Sequence, residues 1–273
     1  MRVSRLDTDV RALTKDVIGS FQKNGLPNFA SAMAFRVVLA LIPFLLFLLS
    51  LLGFLDLQEV WRTDVAPELR KNASATAFKL VDDTVRQVLS EKQIWWLTAG
   101  LVLTLWELSA ATRVAMSAMD RMYGYYRRRS LVEMLPRSLA LGGAMGLCVV
   151  TAIAVVRFGA LLTGEVHGIL AVMSFLIRWL LAAVVLALGV GLLVRYGPAT
   201  RQTVPWVSFG TGLVLAAWVL TSIAFGLYAT YVASYTSVFG HLASVFVLLL
   251  YLWLSANAFL VGIQLDACVR ERA

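Results

Sequence analysis

The sequence predicts an all-α protein that crosses a membrane several times, and three observations predict it. Hydrophobic residues make up 60% of the chain and charged ones only 15%, against roughly 45–50% and about 25% in soluble domains. Several apolar runs exceed the roughly 18 residues that mark a membrane-crossing helix. Most of the charges lie between those runs. A water-soluble core cannot absorb so much apolar surface, whereas a bilayer can. Lipid offers no partner to an open amide or carbonyl, so each run is expected to be a helix.

The first element precedes the oil. In VSRLDTDVRALTKDVIGSF, Val3, Leu6, Val10, Leu13, Val17 and Phe21 recur at three- and four-residue steps, the stripe of an amphipathic helix. Asn24-Gly25 and Pro27 supply a stop. The helix is expected either to lie along the membrane surface or to pack on the loops beside it.

Six apolar runs follow, at about 29–55, 94–118, 138–162, 169–194, 206–230 and 240–264, and predict six transmembrane helices. Between the first two, Phe78, Val81, Val85 and Val88 form a second stripe, with an earlier run at Val60, Trp61 and Val65. Pro67 and Asn72 separate the two, which predicts an outer helical hairpin. The expected organisation is a cytoplasmic amphipathic N-terminal helix at 1–27 and a six-helix transmembrane domain at 28–273. The outer helical loop occupies 56–93.

Charge position gives the orientation. The N-terminal tail (Arg2, Arg5, Arg11, Lys15, Lys23), the second loop (Arg121, Arg127, Arg128, Arg129, Arg137), Arg195, Arg201, Arg270 and Arg272 fall on one side. The opposite side has fewer, almost all in residues 56–93. The positive-inside rule therefore places both termini in the cytoplasm. The net charge of +8 is read as topology and as affinity for anionic headgroups. Nucleic acid is not an expected partner, because no basic patch interleaved with aromatics lies in a segment long enough to fold in water.

The candidate site residues are the polar ones inside the oil. At about 1.5 Å rise per residue, Glu107 lies near the midplane, Arg178 about 5 Å outward of it, and Arg36 and Arg113 about 9–10 Å inward. An unpaired charge at the centre costs on the order of 3 kcal/mol on insertion scales, so such groups face the bundle interior and find partners. Glu107 is the one acid of the six runs, with Arg178 or Arg36 as its expected partner. Arg113 and Arg157 are expected to extend to the nearer interface. Arg36, Pro43 and Ser50 are spaced by seven on one stripe of the first helix. Pro43 there removes an amide and tends to bend the helix. Asn257 and Gln264, also seven apart, form a polar line on the last helix. Arg36, Pro43, Glu107, Arg178, Asn257 and Gln264 are thus the candidate binding residues. Gly142 with Gly146, and Gly212 with Ala216, are expected to serve close helix packing.

No catalytic constellation emerges, since hydrolytic chemistry needs clustered carboxylates, histidines or a nucleophile–base pair. Cys148 and Cys268 differ in depth and show no metal-ligand spacing. Neither metal nor cofactor is expected.

Four stretches carry a family resemblance. NFASAMAFRVVLALIPFLLFLLSL (28–51), LWELSAATRVAMSAMDRMYGYYRRR (105–129), RYGPATRQTVPWVSFGTG (195–212) and YTSVFGHLASVFVLLLYLWLSANAFLVGIQLDA (235–267) resemble signatures of the YihY/virulence factor BrkB family. Their order and spacing cover nearly the whole chain. The resemblance implies a six-helix bacterial inner-membrane protein, once labelled ribonuclease BN and linked to serum resistance. Against that pattern, Glu107 replaces a small or hydroxyl residue, Arg36 an aromatic, Asp120 an Asn and Gln264 a Glu.

Two function classes remain. One is a transporter or translocase whose interior polar residues line a path for an envelope solute, ion or lipid. The other is a non-transporting scaffold for envelope assembly, with envelope proteins or a second copy of the chain as partners. A membrane-bound ribonuclease is disfavoured for want of a catalytic cluster.

Overall fold

The computed structural model describes residues 15–55, 59, 61–67, 70, 78–79, 82–83, 85–87, 94–126, 129–163, 169–199, 209–232 and 241–272. It contains six long helices: α1 Leu26–Phe54, α2 Ile94–Met122, α3 Leu131–Thr163, α4 Ile169–Tyr196, α5 Phe209–Val232 and α6 His241–Arg272. Five of them, α1, α2, α3, α4 and α6, are long and apolar enough to cross a membrane. In α5 the apolar described stretch is shorter, Val214–Tyr228. The protein is a polytopic all-α membrane protein.

Helix ends follow from capping chemistry as well as from the limits of the oil. A helical segment at 15–23 precedes α1. It closes at Gly25, whose φ of 65° suits a residue without Cβ and whose amide donates to the Gln22 carbonyl at 2.9 Å. Pro27 belongs to the first turn of α1, where a missing amide costs nothing. The expected stop is therefore Gly25 alone, and Pro27 starts the next helix. Residues 1–14 of the expected amphipathic element, and most of 56–93, lie outside the described residues.

The end of α2 is a Schellman turn. Gly124 takes φ 72°, its amide donates to the Arg121 carbonyl at 3.2 Å, and the Tyr125 amide donates to that of Asp120 at 2.7 Å. These are the two bonds that close this motif. Ser130 then caps α3, its Oγ accepting from the Glu133 amide at 3.3 Å in a Ser-x-x-Glu pattern. This cap starts α3 at Leu131, well before the apolar run at 138. At the other end of the chain, α6 likewise continues past the expected 264 to Arg272.

The chain forms two compact units, one of residues 1–37 with 108–273, the other of 38–107. In the first, α3 packs along α4, α5 along α6, and α4 against α5. Its core gathers at one end of the bundle. It takes Leu26 and Ala30 from the start of α1, Met116 and Met119 from the end of α2, Leu193 from the end of α4, and Leu260 and Ile263 from α6. Elsewhere large apolar side chains are exposed, among them Leu147, Ile153, Leu176, Leu180, Leu220 and Phe246, as a lipid-facing surface requires.

Small residues allow close approach at specific points. A Cβ on Gly262 would lie 2.8 Å from Val214 Cα, and one on Gly142 would lie 3.0 Å from the Leu108 carbonyl oxygen. Gly146 faces the Leu108 side chain at 2.9 Å, whereas Gly212 has nothing within 4 Å. The packing role expected of Gly212 therefore belongs to Gly262. In the second unit, Gly100 on α2 sits against the Phe47 backbone, its Cβ position 2.8 Å from the Phe47 nitrogen. Trp61, from the earlier run of the expected outer loop, and Val85, from its stripe, are buried together against Leu49, Leu52 and Ala66. Trp61 Nε1 donates to Asp82 at 2.9 Å, and Arg86 Nε donates to the other oxygen of that carboxylate at 2.9 Å.

Candidate functional site

At the densely packed end of the first unit, α1 and α2 leave a cavity of about 760 Å³. From α1 and the turn before it come Gly25, Asn28, Phe29, Ala32 and Arg36, at three- and four-residue steps. From α2 come Ala110, Arg113, Val114, Ser117, Asp120 and Arg121 at similar steps, and from beyond it Tyr125, Tyr126, Arg129, Leu131 and Met134. Two helix faces thus meet across a space that holds four guanidinium groups and one carboxylate. Leu131, Val114, Met134 and Phe29 make the remaining wall partly apolar.

Each arginine is placed by a different device. Arg129 is locked: its Nε donates to Asp120 Oδ2 at 2.9 Å, its Nη2 lies 2.6 Å from the same oxygen, and Nη2 also donates to the Gly197 carbonyl at 2.9 Å. Asp120 Oδ1 accepts from the Ala199 amide at 2.7 Å. Both side chains of this ion pair are more than nine-tenths buried. A buried pair persists only when its remaining lone pairs and protons are also bonded, and four of the five guanidinium and carboxylate polar atoms here are. The exception is Arg129 Nη1, buried without a hydrogen-bond partner among the described residues.

Arg113 is held by hydroxyls. Its Nη1 donates to Ser109 Oγ at 2.6 Å and to Ser138 Oγ at 3.3 Å, and the two serines are 2.7 Å apart. Ser138 spends its proton on the Leu135 carbonyl at 3.0 Å, so Ser109 donates to Ser138 and both oxygens accept from Arg113. Both serines are fully buried. Arg113 therefore turns toward α3 and the cavity; its expected extension to the lipid interface gives way to two buried acceptors that lipid could not supply. Arg121 is more open, its guanidinium 5.0 Å from the Phe29 ring centroid and 3.5 Å from the Asn24 carbonyl.

Of the six candidate residues, Arg36 lines this cavity. Gln264 is nearby in the same unit, its Oε1 accepting from Asn24 Nδ2 at 3.4 Å and its Nε2 facing Cys268 Sγ at 3.4 Å. Asn257 donates to the Trp253 carbonyl of its own helix at 2.8 Å. Arg178 likewise donates to the Ser174 carbonyl at 3.1 Å, its methylenes lying where a Cβ on Gly159 would meet them at 2.7 Å. Pro43 and Glu107 belong to the second unit. The second helix's Arg113, Asp120 and Arg121, and Arg129 beyond it, were missing from the candidates. Loop charges ordinarily report topology, and that reading hid Arg121 and Arg129, whereas Arg113 was expected to extend to the interface. The 113–117–121 spacing, matched by 28–32–36 on α1, was the available signal.

A family profile described as virulence factor BrkB matches residues 17–273. The chain belongs to that family. A BrkB-family relative in Bacillus subtilis (strain 168), the ribonuclease-like protein YfkH, is 24% identical over 250 residues, covering 89% of this chain and 90% of its own length. No solved structure matches the chain. Two of the stretches that carry the BrkB resemblance, 105–129 and 195–212, meet in space. The first supplies Asp120 and Arg129, and the second supplies Gly197 and Ala199. A Cβ at Gly197 would collide with the Leu193 carbonyl and with Met119, so the glycine lets this crossing close.

Proposed function

We propose that this BrkB-family protein is a transporter or translocase of the bacterial inner membrane, with both termini in the cytoplasm. In this reading a polar solute, ion or lipid headgroup enters at the arginine-lined cavity. The observation that carries the reading is the cavity itself, about 760 Å³ in a bundle end that is otherwise tightly filled. The cavity opens onto the protein surface, and charges in membrane proteins that face a wet cavity mark ligand and ion paths. In this reading residues 15–23, the described part of the N-terminal segment, lie on the cytoplasmic side.

The ribonuclease-like name of the Bacillus relative does not transfer to this chain. The cavity brings together one carboxylate, itself committed to Arg129, and general acid–base cleavage of RNA needs a base within reach of the attacking hydroxyl. Pure protein is expected to leave RNA intact, and cleavage that Glu107→Gln abolishes would restore the nuclease reading.

The full-length protein in sealed phospholipid vesicles tests transport. Lipid flip-flop and the release of trapped ions and small anionic solutes should exceed the rates of protein-free vesicles. Ala32→Trp, which fills the cavity from α1, should lower the affected rate about tenfold or more. Rates equal to protein-free vesicles for all three classes would leave the scaffold.

A further inference from the structure

We infer that the cavity between α1 and α2 is a binding site for a phosphate oxyanion, held by Arg129 and Arg121 with Arg113 and Arg36 beside them. Three observations converge on it. Among the described residues the cavity is lined by four guanidinium groups and one carboxylate, and that carboxylate serves Arg129 and the Ala199 amide. Arg129 has a side chain 6% exposed, yet its Nη1 is buried without an acceptor among the described residues. A buried donor left unsatisfied costs on the order of 1–3 kcal/mol, more when the group is charged. Finally, Arg121 finds only a distant carbonyl and an aromatic ring, so no described carboxylate neutralises it.

An acceptor-only ligand of high charge density answers all three. Guanidinium forks match tetrahedral phosphate oxygens two at a time, in bonds about twice as strong as neutral ones. Arg129 is pre-set, because Asp120 and Gly197 occupy Nε and Nη2 and leave the buried Nη1 as its one nitrogen without an acceptor among the described residues. Arg113 is steadied in the same way by Ser109 and Ser138. Tyr125 and Tyr126 at the rim can add hydroxyl donors. The apolar wall of Phe29, Val114, Leu131 and Met134 suits a phosphate with hydrocarbon attached. Phosphate chemistry is shared by a free phosphate and by the headgroup of a phospholipid, and the test separates these sources.

This inference deepens the transport reading by naming the ligand class, and it stands or falls on binding alone. The full-length protein in a non-ionic detergent is titrated calorimetrically with inorganic phosphate, with dihexanoyl phosphatidic acid, and with the same diacylglycerol lacking phosphate. Saturable binding of either phosphate compound, with none of the diacylglycerol, is the expected result. Phosphatidic acid alone identifies a lipid headgroup as the source, and equal affinity for both compounds identifies the phosphate group itself. Arg121→Gln should weaken binding about tenfold, as loss of one charge-assisted contact predicts. Arg129→Lys keeps the charge facing Asp120 but removes Nη1, and should weaken it at least as much. Circular dichroism shows that each variant is folded. No saturable binding, or affinity unchanged in both folded variants, overturns the site. Binding without flux in vesicles would retain the site and remove the transport reading, whereas flux without binding would do the reverse.

Discussion

Asp120 holds two distant parts of the chain at once, taking Arg129 Nη2 at 2.6 Å on one carboxylate oxygen and the Ala199 amide at 2.7 Å on the other. One side chain thereby joins the end of α2, the turn into α3 and the segment after α4. Removing it strands a buried guanidinium, which costs about 3–5 kcal/mol for a broken buried pair. Asp120→Ala should therefore lower the thermal unfolding midpoint of the detergent-solubilised protein sharply. Asp120→Asn keeps a carbonyl acceptor and should lose less than half as much. Equal losses in the two variants would show that the charge alone matters.

The serine pair behind Arg113 should behave as one unit. Ser109→Ala and Ser138→Ala each remove an acceptor from the same half-buried arginine nitrogen. Their effects on unfolding free energy should fail to add by about 0.5–3 kcal/mol, as for residues sharing one network. A double-mutant cycle measures this, and strict additivity would dissolve the network.

Helix spacing gives a steric prediction. Gly262→Ala places a methyl 2.8 Å from the Val214 backbone and should cost about 1–3 kcal/mol by forcing α5 and α6 apart. Gly212→Ala, with nothing within 4 Å, should be neutral or gain up to about 1 kcal/mol from helix propensity. Accumulation and thermal midpoint of the two variants, compared side by side, check the contrast.

In the second unit, Asp82→Ala leaves the indole of Trp61, 5% exposed, with a buried donor and no acceptor. The cost is about 1–3 kcal/mol, and it should be local. Hydrogen exchange should rise around Trp61 and Val85 while the Leu260–Ile263 core stays protected.

Sequence reasoning reached the architecture because lipid imposes a coarse rule. Apolar runs of sufficient length must be helices, and all six runs are. It also singled out Trp61 in one run and Val85 in a separate stripe, and these two residues are buried in one cluster. Helix ends were harder, since Pro27 can end one helix or begin another, and only the positive φ of Gly25 decides it. The site was least legible. Arg36 was visible because it stands inside oil, whereas Arg121 and Arg129 lie among loop charges whose usual meaning is orientation. What sets Arg129 apart is Gly197, sixty-eight positions away, and spacing along one chain does not encode that meeting.

The bridge through Asp120 also bears on how the protein is made. A ribosome delivers Arg129 soon after Asp120, but Gly197 and Ala199 arrive only once the whole of α3 and α4 has been synthesised. Until then the guanidinium lacks its second anchor and the amide is not there to receive the carboxylate. The finished pocket is thus a late event of biogenesis. A nascent chain halted before the fourth helix would carry these arginines into the membrane without the frame that aims them.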